Sequence, residues 1–193
     1  MKNIKVNNDI VLMGPPYCGK GTHSEILLKM SLFFLYICTG DMLRSFKNKD
    51  TFIRMKKIMD SGGLVPDEFV NGLVTTYLMQ HFKEGLFLLF DGWPRNVSQV
   101  ELFIKIMKFY EKNPIIIFIN VGEEELIKRL DHRMIQQSRS DDKQEVGLER
   151  IKIYNEITLP AKQIFELHYP VYSINGNGSV PEVNQRILKC INR

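Results

Sequence analysis

Short apolar runs alternate along the chain with longer stretches of helical periodicity. In several runs the apolar residues are consecutive, which is typical of strands that are covered on both faces of a parallel sheet. We predict strands at residues 10–13, 33–37, 86–90, 115–119 and 171–174. The alternation indicates an α/β fold, in which a parallel sheet of these five strands carries crossover helices on both faces.

The stretches between the runs predict helices at residues 22–30, 67–82, 97–110, 123–137, 141–167 and 181–191. Two stretches depart from the simple alternation. Residues 41–60 form a polar, amphipathic helical insertion between two strands, and residues 136–142 form a polar break between two helices. Both are candidates for moving parts. The sequence contains no internal repeat or linker, so we predict a single domain over residues 1–193.

The composition is typical of globular proteins, since 44% of the 193 residues are hydrophobic and 25% are charged. The net charge of +4 suits an anionic ligand but is too small to indicate nucleic-acid binding. The cysteines Cys18, Cys38 and Cys190 lack metal-ligand spacing and cannot all pair, which predicts a reducing compartment. Residues 1–9 lack an apolar signal core, and no run reaches the roughly 18 apolar residues of a membrane span. We therefore expect a cytoplasmic protein that does not bind membranes.

The first predicted strand leads directly into a glycine-rich loop and then into a helical pattern. The segment from Gly14 to Thr22 follows G-x-x-x-x-G-K-[ST], except that a glycine separates Lys20 from the hydroxyl residue. In such a loop, backbone N–H groups and a helix N-terminus face a polyphosphate, and the lysine adds charge near the β and γ oxygens. The structural alternative is an ordinary glycine-rich turn. Tyr17 stands in the middle of the loop, where an aromatic residue at positive φ would be strained.

A second feature supports phosphate chemistry. The predicted strand at residues 86–90 is followed by an acid, Asp91. P-loop enzymes use a carboxylate at this place to orient Mg²⁺, usually through water. Alternatively, Asp91 could cap the turn before Gly92.

Further short motifs lie along almost the whole chain. They are Gly-Lys-Gly-Thr at 19–22, Thr-Gly-Asp-Met-Leu-Arg at 39–44, Gly-Leu-Val-Pro at 63–66, Asp-Gly-Trp-Pro-Arg at 91–95 with Gln99, the pair Arg129 and Arg133, Arg-Ser-Asp-Asp at 139–142 with Arg150, and Gly-Ser-Val at 178–180. In order and spacing these motifs resemble the adenylate kinase family of nucleoside monophosphate kinases.

The resemblance implies a P-loop NTPase-type fold, with a helical insertion that binds the nucleoside monophosphate at about residues 39–68 and a short lid at about 134–140. It implies a reversible, Mg²⁺-dependent transfer of the ATP γ-phosphate to AMP that gives two ADP. These nucleotides are the expected partners, and we expect a monomer. The lid resembles the short form and the cysteines lie elsewhere, so no zinc is expected.

The resemblance also assigns residues. The ATP-binding residues would be Gly14, Tyr17, Cys18, Gly19, Lys20, Gly21, Thr22, Arg129, Arg133 and Gly178. The AMP-binding residues would be Thr39, Gly40, Arg44, Gly63, Leu64, Val65, Gly92, Trp93, Pro94, Arg95, Gln99, Arg139 and Arg150. The catalytic residues would be Lys20, Arg95, Arg133, Arg139 and Arg150. Thr22 and Asp91 would contact the nucleotide-bound Mg²⁺ directly or through water.

The residue types agree with these assignments. Bringing together two anionic nucleotides requires cations and backbone donors around the transferring group, and arginine can contact phosphate oxygens bidentately. Arg129 and Arg133 are four residues apart and share one helix face. Alternatively, they could belong to a solvated face and pair with Glu124 or Glu125.

Two positions bear on the acceptor base. In the resembling family, threonine at position 39 and glutamine at position 99 accompany adenine, whereas pyrimidine monophosphate kinases typically have alanine and asparagine. Gln99 can present both a donor and an acceptor to the adenine edge, although an exposed helix residue is the alternative. Two other functions remain open at this point: a UMP/CMP kinase of the same fold, and a nucleotide-binding protein with weak or lost catalysis, which Tyr17 would favour.

Overall fold

The computed structural model describes residues 8–45, 49–136 and 143–192. Within these residues one sheet contains the strands β1 (Ile10–Met13), β2 (Phe34–Cys38), β3 (Phe87–Asp91), β4 (Ile115–Asn120) and β5 (Val171–Asn175). All neighbours are parallel, in the order β2-β3-β1-β4-β5. The predicted five-stranded parallel sheet is confirmed, and each predicted strand lies within one residue of the observed one at either end.

The strands are apolar on both sides because helices cover both faces of the sheet. Val11 and Met13 of β1 belong to one buried cluster, together with Trp93. Ile10 and Leu12 belong to a second buried cluster on the opposite face. This arrangement explains why the sequence shows consecutive apolar residues instead of alternation.

The helices are α1 (Lys20–Met30), α2 (Thr39–Ser45), α3 (Lys49–Asp60), α4 (Asp67–His81), α5 (Val97–Phe109), α6 (Glu123–Gln136), α7 (Gln144–Ile153), α8 (Lys162–His168) and α9 (Val180–Ile191). The predicted insertion contains α2 and α3. The predicted lid begins at the C-terminal end of α6, and its residues 137–140 lie outside the described residues. None of the helices in the described ranges is long and apolar enough to cross a bilayer.

The single helix predicted over residues 141–167 is wrong. The structure has α7, a π-helical turn at Tyr154–Thr158, a 3₁₀ turn at Leu159–Ala161, and then α8. Pro160 explains the break, because it has no N–H to donate and its ring would clash with the preceding turn of an α-helix. Such local changes of helical pitch often lie at functional sites, and here Tyr154 and Thr158 line the cavity beside the loop between β1 and α1.

Candidate functional site

The loop between β1 and α1 has the geometry of a phosphate-binding loop. Gly14 has φ 148°, and a Cβ there would lie 2.6 Å from the carbonyl oxygen of Ile119, so only glycine fits. Gly19, with φ 100°, ends the loop, and α1 begins at Lys20. The Lys20 ammonium donates to the carbonyl oxygens of Gly14 (2.7 Å) and Pro15 (2.9 Å). A positive charge is thereby held at the N-terminus of a helix, where an anion is favoured.

Tyr17 lies in the middle of this loop in the left-handed conformation, with φ 67°. Its ring lies against Arg133, whose guanidinium carbon is 5.6 Å from the ring centroid. Its hydroxyl oxygen is 3.0 Å from the position that a Cβ on Gly147 would occupy. The positive φ considered at the sequence level is present, at a cost of about 1–3 kcal/mol for such residues, and the side chain is held between α6 and α7.

Arg129 connects three parts of the site. Its Nε pairs with Glu125 at 2.8 Å, as in the alternative of a helix-face ion pair. Its Nη1 donates to the carbonyl oxygen of Cys18 at 3.3 Å, and its Nη2 donates to that of Gly176 at 2.9 Å. Arg129 therefore joins the phosphate loop to the loop between β5 and α9, which also contains Gly178.

Asp91 ends β3 beside the phosphate loop and is 8% exposed. Burial raises the pKa of its carboxyl group, while the positive charge of Lys20 acts in the opposite direction. The Tyr36 hydroxyl donates to Asp91 Oδ2 at 3.2 Å. The same oxygen lies 3.8 Å from the position of a Cβ on Gly21, in the first turn of α1, where Thr22 is exposed. The carboxylate therefore faces the beginning of α1.

A cavity of about 200 Å³ adjoins the phosphate loop. Its walls come from the phosphate loop, α2, the segment before α4, the loop after β3, and the region of α7 and the π-helical turn. The predicted site residues that line it are Gly14, Lys20, Thr39, Gly40, Arg44, Gly63, Leu64, Val65, Gly92, Pro94, Arg95, Gln99 and Arg150. The structure thus brings the predicted monophosphate site together with the loop lysine.

The arginines of this cavity are held by backbone and side-chain contacts. Arg44 pairs with Asp41 at 2.6 Å, Arg95 Nε donates to the carbonyl oxygen of Gly92 at 2.6 Å, and Arg150 Nη2 donates to that of Met59 at 3.1 Å. Desolvation in the cleft lowers the pKa of Arg95. The negative charge of Asp91 opposes this shift, whereas the charges of Arg150 and Arg44 add to it. The positive charge is therefore concentrated where two phosphate groups could meet.

Thr39 and Gln99 are both buried against the cavity, each 2% exposed. The Thr39 hydroxyl donates to the carbonyl oxygen of Gly92 at 2.8 Å. The lone pairs of the hydroxyl oxygen can therefore still accept a hydrogen bond. Gln99 Oε1 accepts the backbone N–H of Arg95 at 2.8 Å, and Nε2 donates to Asp67 Oδ1 at 2.7 Å. The alternative of an exposed helix residue at position 99 is wrong, because these two partners bury the amide.

Comparison with known proteins agrees with this geometry. The family model described as adenylate kinase matches residues 12–169. The chain belongs to the adenylate kinase family. It is similar to the adenylate kinase of Leptospira biflexa, at 38% identity over 94% of this chain and 98% of that protein. It is also similar to those of Thermobifida fusca (35%, covering 94% and 97%) and Prochlorococcus marinus (34%, covering 96% and 100%). The resemblance and the fold class are confirmed.

In this adenylate kinase family member, Trp93 is the one described residue of the predicted AMP-binding set that does not line the cavity. Trp93 is fully buried in the core, where its ring meets Phe103 and its Nε1 donates to Asn71 Oδ1 at 3.0 Å. The Trp93 side chain therefore packs in the core next to the site and does not line the cavity. Arg139 lies outside the described residues, so its assignment stays a prediction.

Some residues of the site were not predicted. Tyr36 holds Asp91, Asp67 holds Gln99, and Tyr154 and Thr158 line the cavity. The break at Pro160 was the available signal for Tyr154 and Thr158. Tyr36 and Asp67 carry no such signal, because their partners are 55 and 32 residues away along the chain.

Proposed function

We propose that this chain transfers the γ-phosphate of ATP reversibly to AMP, giving two ADP. The observation that carries the proposal is the convergence of Lys20 with Arg44, Arg95 and Arg150 on one cavity, which also has the buried amide of Gln99 in its wall. The relatives named above bear the name of this activity. The proposal keeps the chain as one monomeric domain, with the monophosphate-binding insertion at about 39–68 and the short lid at about 134–140.

Charge and position account for the chemistry. The phosphate loop and Lys20 would bind the ATP phosphates, and Arg44 and Arg150 would bind the acceptor phosphate. Arg95 lines the same cavity as Lys20, Arg44 and Arg150, and we assign it to the acceptor phosphate and to catalysis. In-line transfer between phosphates requires positioning and charge stabilisation, so no acid–base residue is needed. Arg133 and Arg139 would complete the cluster from the lid side.

The residues present fit a nucleotide-bound Mg²⁺. Within the described residues there is no group of three or more His, Cys, Asp and Glu side chains that could hold a metal without help. Asp91 faces the beginning of α1 near Thr22, and these oxygen donors suit Mg²⁺, which is generally held by one or two carboxylates together with substrate phosphates. When bound, Mg²⁺ would neutralise charge on the β and γ oxygens.

Tyr36→Phe is expected to weaken the contribution of Mg²⁺ to ATP binding by about tenfold, as for other groups that orient a metal-contacting side chain. The hydroxyl that donates to Asp91 is lost, and the carboxylate is free to turn. Calorimetric titration with ATP, with and without Mg²⁺, measures the effect. Tyr110→Phe is the control, because Tyr110 packs against Phe82 away from Asp91. Equal Mg²⁺ dependence in the Tyr36 variant and the wild type would show that the tyrosine does not position Asp91.

A coupled assay over AMP, GMP, CMP and UMP, with ATP and GTP as donors, tests the proposed function. We expect the highest kcat/KM for AMP with ATP. A preference for CMP or UMP would make the chain a pyrimidine monophosphate kinase of the same fold. Nucleotide binding without turnover would support the catalytically weak alternative instead.

Thr39→Ala combined with Gln99→Asn is expected to lower the AMP:CMP ratio of kcat/KM by at least about tenfold. The double variant removes the Thr39 hydroxyl and shortens the amide, so base-edge hydrogen bonds that adenine can satisfy are lost. The steady-state ratio measures this directly. If the ratio does not change, selection of the base lies elsewhere, for example in the backbone near Val65.

A further inference from the structure

Asp67, the first residue of α4, holds the start of α5 through side-chain hydrogen bonds. Its Oδ1 accepts from Gln99 Nε2 at 2.7 Å and from Asn96 Nδ2 at 2.8 Å, and its Oδ2 accepts from the same Asn96 nitrogen at 3.1 Å. Asn96 Oδ1 in turn accepts the backbone N–H of Gln99 at 2.8 Å and caps α5. One half-buried carboxylate therefore positions both the cap of α5 and the side chain of Gln99.

These contacts determine which way the Gln99 amide faces. The oxygen and nitrogen of a glutamine amide are similar in size, so its orientation is decided by its partners. The backbone N–H of Arg95 can only donate, which requires Oε1 on that side. An ionised Asp67 carboxylate can only accept, which requires Nε2 on the other side. Together the two partners exclude the flipped amide.

The fixed orientation has a consequence for the base. After these bonds are made, Gln99 keeps one N–H on Nε2 and one lone pair on Oε1, and the residue lines the cavity. Adenine has an amino donor at N6 beside an acceptor at N1, so it can pair with this arrangement. Guanine has an acceptor at O6 beside a donor at N1, which would require the amide to be reversed.

We propose that Asp67 is a specificity-determining positioning residue, which holds the Gln99 amide in the orientation that accepts adenine and rejects guanine. The inference rests on the proposed function, since it assumes that the cavity receives a purine monophosphate. Asp67 itself does not line the cavity. It acts through Gln99.

The chain supplies a matched control in the same helical turn. Glu68 is exposed and also lies in the first turn of α4. Glu68→Gln removes one negative charge from the helix N-terminus without touching Gln99. Asp67→Ala removes both the charge and the acceptor, whereas Asp67→Asn retains an oxygen that can accept from Gln99 Nε2.

The test measures the dissociation constants of AMP and GMP by calorimetry for the wild type and the three variants, with thermal melts to verify folding. We expect Asp67→Ala to lower the preference for AMP over GMP by at least about tenfold, the scale of a lost base-edge contact. The preference of Asp67→Asn for AMP over GMP should lie between those of Asp67→Ala and the wild type. Glu68→Gln should keep the wild-type ratio of the two dissociation constants. If Asp67→Ala does not fold, the ratio for Asp67→Asn decides.

Steady-state kinetics with AMP separates a positioning role from a merely structural one. We expect Asp67→Ala to raise the KM for AMP about tenfold while kcat changes less than about threefold. The inference is overturned if the ratio of the AMP and GMP dissociation constants is unchanged in both Asp67 variants. It is also overturned if the wild type binds AMP no more tightly than GMP. A wild type that prefers AMP in binding but forms no ADP contradicts the proposed function and leaves the binding test of Asp67 intact.

Discussion

Lys20→Ala is expected to lower kcat by at least about two orders of magnitude, the scale of removing one preorganised electrostatic donor from a transition state. The Lys20 ammonium is held inside the phosphate loop by the carbonyl oxygens of Gly14 and Pro15, at the beginning of α1. It is therefore already in place when charge develops on the transferring group. Steady-state turnover with saturating ATP and AMP measures the loss.

The control for Lys20 is Lys29→Ala, which removes the same charge from the last, exposed turn of the same helix. We expect wild-type turnover for this variant. Circular dichroism melts show whether the Lys20 variant still folds, and Lys20→Met keeps the length of the side chain if alanine destabilises the loop. Near wild-type turnover in a folded Lys20 variant would mean that this loop does not bind the transferring phosphates.

Arg95→Ala is expected to lower kcat/KM for AMP by at least about a hundredfold, because Arg95 adds a fixed positive charge to the cavity that Lys20 also lines. Its backbone N–H is bound by Gln99 Oε1 and its Nε by the carbonyl oxygen of Gly92, so the outer nitrogens of the guanidinium remain for phosphate oxygens. Arg95→Lys is expected to recover little of the loss. A lysine ammonium cannot contact Gly92 and two phosphate oxygens in the planar geometry of arginine.

Steady-state kinetics for the two Arg95 variants distinguishes geometry from charge. Lys108→Ala, in the exposed last turn of α5, is the matched control and should behave as the wild type. Full activity of Arg95→Lys would show that any positive charge suffices at this position. Full activity of Arg95→Ala would remove Arg95 from the catalytic machinery altogether.

The fold and the phosphate loop could be predicted from the sequence because their signals are local. Consecutive apolar residues reveal a strand that is buried on both faces, and the glycines of the loop are required by positive φ and by the close approach of Gly14 to the Ile119 carbonyl. Arg129 and Arg133 share a helix face through spacing alone. In each case, a few neighbouring residues determine the geometry.

The residues that hold the binding residues in position could not be predicted from such local signals. The contacts of Asp67 with Gln99 and of Tyr36 with Asp91 join residues 32 and 55 positions apart, and periodicity does not report pairs at that distance. Trp93 lies within a predicted binding motif but fills the core, because a neighbouring backbone can line a cavity while a large ring packs behind it. Tertiary packing decides these roles.

The most direct test of the central claim is a ³¹P NMR time course of the purified chain with Mg²⁺, ATP and AMP. The account predicts that ATP and AMP disappear in equal amounts, that two ADP form for each AMP consumed, and that no inorganic phosphate is released. It further predicts that ATP remains intact when AMP is omitted. Release of inorganic phosphate without AMP, or a mixture that stays unchanged with both nucleotides present, would contradict the assignment of this cleft to phosphoryl transfer between ATP and AMP.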